Sequence, residues 1–247
     1  MQPQAHIQAF FDEPTNTVTY LVSDPATRQA AVIDPVLDYD HRSGKASTAS
    51  ADRVLEAAHS GDLTVAYVLE THAHADHLSA APYIRQRTGA QVAIGEHIRD
   101  VQTIFRPVFN LDDVSGDGSE FDRLLQDGET LRIGELTVEV LHTPGHTMES
   151  ACYLLIDENG KETALFSGDT LFIGDVGRPD LAQKVASDLT KEKLAGHLFE
   201  SLRTKIIPLA NDIIVYPAHG AGSACGKNMS KETSDTLGNQ KKTNYAL

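Results

Sequence analysis

The chain has 247 residues, 40% of them hydrophobic and 23% charged, which is enough apolar material for one large core or two small ones. Its formal net charge of -14, from 21 Lys and Arg against 35 Asp and Glu, repels phosphate backbones and anionic lipid, so nucleic acid and membrane surfaces are not expected partners, and an anionic substrate would need a local basic patch. Two cysteines, Cys152 and Cys225, are too few for a disulfide framework and are not spaced as a zinc clip, which suits a reducing compartment.

The opening MQPQAHIQAFFDEP has neither a basic n-region nor a sustained apolar run, and no stretch reaches the ~18 apolar residues of a membrane span, so a cytoplasmic protein is expected. Residues 17–34 read as two strands around the Asp24-Pro25 turn. A polar loop follows and becomes helical near Ser50, where Val54, Leu55 and Ala58 recur at three and four. Strand TVAYVLE (64–70) leads into THAHADH (71–77), then into a helix through Tyr83, Ile84 and Arg87 that Gly89 stops, with Pro82 tolerable in its first turn. Residues 107–128 are acidic and glycine-dotted, fail the positions of a calcium loop, and read as a solvated loop or lid. Strands are expected at 136–141 before HTPGH, at 151–156, at 163–166 before SGDT and at 211–216 before PAHG, with a helix over 188–204. No repeat, low-complexity tract or linker divides the chain, so one domain is expected.

Every metal-capable side chain of interest follows one of these apolar runs. His72 and His74 follow the first, His146 the second, Asp169 the third and His219 the fourth. Residues two apart in extended chain share a side, so His72 and His74 can reach one ion together, while Asp76 and His77 swing toward a second position. A lone histidine such as His6, His41, His59, His97, His142 or His197 is ordinarily a surface or satisfied core residue, and those six receive no role. His-x-His-x-Asp-His after a strand is different, because packing alone gives no reason to crowd so much desolvation cost together.

THAHADH, HTPGHT (142–147), FSGDTLF (166–172) and YPAHG (216–220) together resemble the metallo-β-lactamase superfamily over nearly the whole chain. The resemblance implies an α/β fold, an αββα sandwich with a metal at one edge, and residues 1–247 as a single catalytic domain. Within the superfamily, THAHADHLSAA, LHTPGHTMESACYLL and GDTLFIGDVGRPDL are most similar to the persulfide dioxygenases (sulfur dioxygenases, ETHE1-like). That branch implies one Fe(2+) per chain on His72, His146 and Asp169, a two-histidine, one-carboxylate face suited to binding sulfur and O2 together. His74, Asp76, His77 and His219 would then orient those ligands and tune the iron by hydrogen bonds. The implied reaction oxidises glutathione persulfide, or a related low-molecular-weight persulfide, with O2 to sulfite and thiol, with no protein nucleophile required.

Relatives place a basic residue against glutathione where Arg178 stands, although an arginine bracing its own loop is the plainer alternative. Lys227, in the tail with Lys231, Lys241 and Lys242, would complete a basic rim or lie on a solvated tail, and Cys225 would line the pocket, react with persulfide or simply fill a tight loop. The sequence departs from the eukaryotic branch at Gly220-Ala221, where that branch has Asp-Tyr after the matching histidine. Some relatives carry a rhodanese-like domain beyond the position of Leu247, which leaves a truncated chain as one reading. A homodimer stays open as the assembly. The first rival is a dinuclear thioester hydrolase of the glyoxalase II kind, with all seven side chains on two ions. The second is a non-catalytic protein that keeps the fold.

Overall fold

The computed structural model describes residues 5–181 and 190–247. An edge strand, β1 (His6–Asp12), pairs antiparallel with β2 (Thr17–Ser23), and the Asp24 turn returns the chain along β3 (Gln29–Ile33). Asp24 builds that turn by accepting the Ala26 amide at 2.9 Å and the Thr27 hydroxyl at 2.6 Å. A hairpin of β4 (Val36–Asp40) and β5 (Lys45–Ser47) precedes α1 (Ala49–Ser60), which starts within a residue of where its apolar spacing places it. Then follow β6 (Thr64–Leu69), β7 (Leu78–Ser79), α2 (Ala81–Thr88), β8 (Gln91–Gly95), α3 (Ile98–Phe109) and β9 (Arg123–Leu125). Gly89 closes α2 at a left-handed φ of 77°, a conformation that costs glycine nothing.

The second half runs through β10 (Thr130–Ile133), β11 (Leu136–His142), β12 (Ala151–Ile156) and β13 (Glu162–Gly168). Helix α4 (Lys191–Ser201) passes into a π-turn at Leu202–Ile206, and β14 (Ile214–Pro217), β15 (Asp235–Thr236) and α5 (Leu237–Thr243) complete the chain. The expected helix over 188–204 is present from Lys191; Asp188 and Leu189 lie outside the described residues.

Two six-stranded sheets, ordered β1-β2-β3-β6-β8-β9 and β10-β11-β12-β13-β14-β15, face each other. Alternation along each strand sorts its side chains. Tyr20, Val22, Ile33 and Leu69 of the first sheet meet Val138, Val140, Tyr153 and Phe166 of the second in a shared core. The opposite faces are buried as well. Leu21, Val32, Val68 and Val92 pack on Val54, Ala58 and Ile84 of α1 and α2, while Cys152, Leu154, Leu165 and Val215 pack on Leu198, Leu202 and Leu237. Helix, sheet, sheet, helix is the expected αββα sandwich, and burial on both faces explains why these strands read as unbroken apolar runs. Among the described residues no helix is long and apolar enough to cross a membrane.

Three parts of the chain depart from expectation. Helix α3 occupies a stretch assigned no helix and reaches into the supposed loop at 107–128, whose far end is β9; the apolar recurrence Ile98, Val101, Phe105, Phe109 marks it, and Pro107 falls only in its last turn. The C-terminal stretch is no solvated tail. Leu237 is fully buried, the Gln240 Oε1 accepts the Gly174 amide at 2.8 Å, and the Asn244 amide group donates to Phe172 O at 3.2 Å and Asp175 O at 3.0 Å. The expected strand at 211–216 forms only from Ile214.

Candidate metal centre

The site lies where the strands of both sheets end. Strand β3 delivers Asp34, β6 delivers Glu70 through His77, the loop between β11 and β12 delivers His146, β13 delivers Asp169 and β14 delivers His219. Their apolar runs are held between layers, so each chain emerges at the same rim with its first polar residues pointing into a common space. Val18 N donates to Ala218 O at 2.7 Å and Thr17 bridges His219, which closes the rim by tying one sheet to the other.

His72, His146 and Asp169 converge there, all buried, with one ligand atom from each within 4.8 Å of the others. His146 Nε2 is 3.3 Å and His72 Nε2 is 3.9 Å from Asp169 Oδ2. The protein fixes which ring nitrogens are free. His146 Nδ1–H donates to Arg178 O at 2.9 Å. The Thr71 hydroxyl donates to Asp34 Oδ2 at 2.8 Å, so at its 3.0 Å contact with His72 Nδ1 it must accept, which again leaves Nε2 as the lone-pair atom. Burial first, then the imidazoles of His74 and His146, hold the His72 pKa well below the ordinary imidazole range, so its ring is a neutral ligand near pH 7. Both oxygens of Asp169 are buried without a hydrogen-bond partner among the described residues. A buried carboxylate left unpaired in this way is costly, and the imidazole Nε2 atoms beside it make a donor set that fits a divalent cation, iron among them.

A second group, His74, Asp76 and His219, adjoins the first. His219 Nε2 is 3.3 Å from Asp76 Oδ2 and 3.4 Å from Asp169 Oδ1, while its Nδ1–H faces Asn16 O at 3.3 Å. The Thr17 hydroxyl sits between His77 Nδ1 (3.4 Å) and His219 Nδ1 (3.3 Å). His77 Nε2 and His74 Nδ1 are buried and unpartnered. His72 and His74 do lie together, with ring centroids 4.1 Å apart. His74 turns its Nε2 the other way, onto Asp34 Oδ1 at 3.1 Å and Glu70 Oε2 at 3.4 Å. Burial opposes protonation of His74, but the Asp34 and Glu70 carboxylates outweigh it and raise its pKa well above the usual range.

The remaining expected residues are placed as follows. The Arg178 guanidinium grips its own loop, with Nε 3.0 Å from Asp180 Oδ1, Nη2 2.8 Å from Asp180 Oδ2, and Nη1 3.4 Å from Ala224 O. This is the brace arrangement, and it leaves the side chain outside the wall of the cavity beside the cluster. Lys227 is exposed and also outside that wall; its backbone amide donates to Asp175 Oδ2 at 2.7 Å. Lys241 is committed to Leu209 O at 2.6 Å and Asn211 Oδ1 at 2.8 Å, so the expected basic rim does not assemble from it. Cys225 is buried within reach of Asp169 and His219 and lines the cavity. Burial and the neighbouring Asp169 push its thiol strongly upward, which disfavours a reactive thiolate. None of the six histidines left without a role joins either cluster.

Several contributors escaped the sequence reading. Asp34 and Glu70 each follow a buried run directly, the same signal that marks Asp169. Glu149 is fully buried three residues after His146; its Oε1 accepts the Ala73 amide at 2.9 Å and ties the two histidine loops together, and burial raises its pKa. Gly177 permits the close approach of the Arg178 loop, because a Cβ there would fall 1.9 Å from Asp169 O. A cavity of about 580 Å³ opens beside the cluster, lined by Val101, Phe105 and Phe109 of α3 with Met148, Leu181 and Cys225.

Comparison with known proteins agrees with this geometry. The family model described as the metallo-beta-lactamase superfamily matches residues 12–219. The chain belongs to the metallo-β-lactamase superfamily. A β-lactamase hydrolase-like protein of Xylella fastidiosa is 37% identical over 98% of this chain and 52% of its own length, so the chain spans about half of such relatives. Glyoxylase B2 of Dictyostelium discoideum is 35% identical over 89% of this chain and 71% of its own. The human mitochondrial persulfide dioxygenase ETHE1 is 28% identical over 86% of this chain and 67% of its own. Among solved structures, a metallo-β-lactamase from Staphylococcus aureus superposes with a TM-score of 0.76 at 30% identity, covering 99% of this chain and 63% of that one. ETHE1 from Myxococcus xanthus superposes with a TM-score of 0.70 at 30% identity, covering 97% and 83%. The superfamily is metal-binding, and the ETHE1-like resemblance read from the sequence is supported by these relatives.

Proposed function

We propose that the protein is a cytoplasmic persulfide dioxygenase that holds one Fe(2+) between His72, His146 and Asp169. It oxidises a low-molecular-weight persulfide, glutathione persulfide or a relative, with O2 and water to sulfite and thiol. The observation that carries this reading is two imidazole nitrogens and a buried carboxylate without a hydrogen-bond partner among the described residues converging within 4.8 Å of one another, with His146 lining an apolar cavity. The ETHE1 relatives support it. Iron supplies the oxygen chemistry when bound. The chain supplies placement. Arg178 O and the Asp34–Thr71 pair set the tautomers of His146 and His72, Glu149 holds the two histidine loops in register, and the cavity receives the body of the substrate. Burial keeps Cys225 protonated, so it serves as packing and not as a base.

A second reading, a dinuclear thioester hydrolase, is favoured by one observation: His74, Asp76 and His219 form an adjoining group, and His219 reaches Asp169 as well. The glyoxylase B2 likeness points the same way. Metal analysis of protein purified without air, with oxygen uptake on glutathione and alkyl persulfides, decides between them. About one iron per chain with oxygen consumption is expected; two zinc ions with thioester cleavage and no oxygen uptake would establish the hydrolase instead.

A further inference from the structure

The cavity beside the cluster has one polar end and one apolar wall. The polar end is His74, His146, Glu149 and Cys225. The wall is α3, an amphipathic helix of which only Ile98 is buried. Among the described residues, its stripe of Val101, Phe105 and Phe109 joins none of the three packed cores, and Phe105 and Phe109 stack with centroids 5.8 Å apart. Phe109 is 59% exposed and Leu181 across the cavity is 44% exposed. An apolar stripe that a helix does not spend on its core, placed against a polar site, belongs to a ligand.

Of the polar side chains of the wall, Gln102 is fully engaged, and Arg106 is exposed and tied to the following loop through one Nη. Gln102 donates to Glu120 Oε2 at 2.9 Å and accepts the Gly118 amide at 2.9 Å, and Arg106 donates to Ser115 O at 3.3 Å. All three partners lie on the loop that follows α3, so these bonds hold the loop while the helix turns its carbon surface to the cavity. At about 580 Å³ the space suits a small molecule whose sulfur reaches the cluster and whose body lies on α3.

We propose that the substrate body bound by this protein is apolar, an alkyl or aryl group carrying the reacting sulfur, in preference to the body of glutathione with its two carboxylates and one ammonium. This rests on the persulfide reading for the reaction, but the pocket and the reaction can be tested apart. The binding test uses the metal-loaded, air-free protein and n-alkanethiols from ethanethiol to hexanethiol, with glutathione as the charged comparison, measured by calorimetry. All carry the same thiol, so differences report the body. Kd is expected to fall about fourfold per added methylene, the factor that ~0.8 kcal/mol of burial gives, with hexanethiol at least tenfold tighter than glutathione. The Phe105→Ala and Phe109→Ala variants should flatten the series, while Phe199→Ala, on exposed α4 surface, should leave its slope intact.

A flat series would overturn the proposal, whether or not a concentration-dependent dimer then showed that a second copy covers the wall. Glutathione binding tighter than hexanethiol, with that advantage lost in Arg106→Ala, would overturn it too. Oxygen uptake on hexyl and glutathione persulfides separates the two readings. A steep binding series without oxygen uptake sinks the dioxygenase and leaves the apolar pocket; oxygen uptake with a flat series does the reverse.

Discussion

Two carboxylate–imidazole clusters sit back to back at the rim of this protein, and they are satisfied in opposite ways. Asp34, behind the rim, accepts the Thr71 amide at 2.7 Å, the Thr71 hydroxyl at 2.8 Å and His74 Nε2 at 3.1 Å. Asp169, only a few side chains away, has no hydrogen-bond partner on either oxygen among the described residues. Both are buried, so both bear the desolvation cost, and only Asp34 recovers it within the protein. The difference teaches how to tell a brace from a ligand: a buried charge with its acceptors filled is structure, and one left empty beside free imidazole nitrogens waits for a cation.

The comparison can be broken most directly at His146 and Asp169. Replacing either by Ala is expected to reduce retained metal by more than about a hundredfold, read by elemental analysis after desalting, whereas Asp34→Ala should retain a substantial fraction. Stability should invert the order. Breaking the buried Asp34–His74 pair is expected to cost about 3 kcal/mol, while Asp169→Asn in metal-stripped protein should cost nothing or stabilise, because it removes an unpaired buried charge. Denaturant titration of the two stripped variants checks this, and equal losses would erase the distinction between the clusters.

A third carboxylate sharpens it by pH. Asp175 is opposed by burial, yet the Asn228 amide, the Tyr245 hydroxyl and the Lys227 amide outweigh that and hold its pKa below the usual range. A depressed folded pKa means stabilisation that is complete above the ordinary carboxylate value near ~4 and is lost as pH falls through the folded value. Asp175→Asn should therefore flatten the fall in stability below about pH 4, seen as a shallower acid-unfolding curve. The smallest effect is expected at Arg178, whose Asp180 pairing is partly exposed. Arg178→Ala should change stability by at most ~1 kcal/mol and leave metal retention intact, since His146 uses the backbone carbonyl. A raised KM in that variant would give the side chain a substrate role in addition to its brace.

Much of the site was legible because the rim is written into the chain as polar residues directly after apolar runs. His72, His146, Asp169 and His219 all follow that rule, and so do Asp34 and Glu70, whose part in the site only the fold reveals. Helix α3 carried a readable stripe at Ile98, Val101, Phe105 and Phe109, but nothing local shows that the stripe faces a cavity and not a core. The C-terminal stretch looked like a solvated tail because its lysines are conspicuous and its one fully buried apolar anchor, Leu237, is not.

By itself the sequence determined the ends of the main strands and the histidine and aspartate ligands that follow them, because burial on both faces of two sheets imposes long apolar runs whose ends are plain in composition; the sandwich followed from the resemblance those motifs carry. Tertiary structure alone decided which nitrogen each histidine leaves free, that His74 turns toward Asp34 and Glu70, that Arg178 is spent on Asp180, and that α3 lends its carbon face to the cavity. Some of these partners lie tens of residues apart, as His74 and Asp34 or His146 and Arg178 do, and even the near pair Arg178–Asp180 is one choice among several within reach; a bond's partner is a matter of distance in space, which spacing along a chain does not encode.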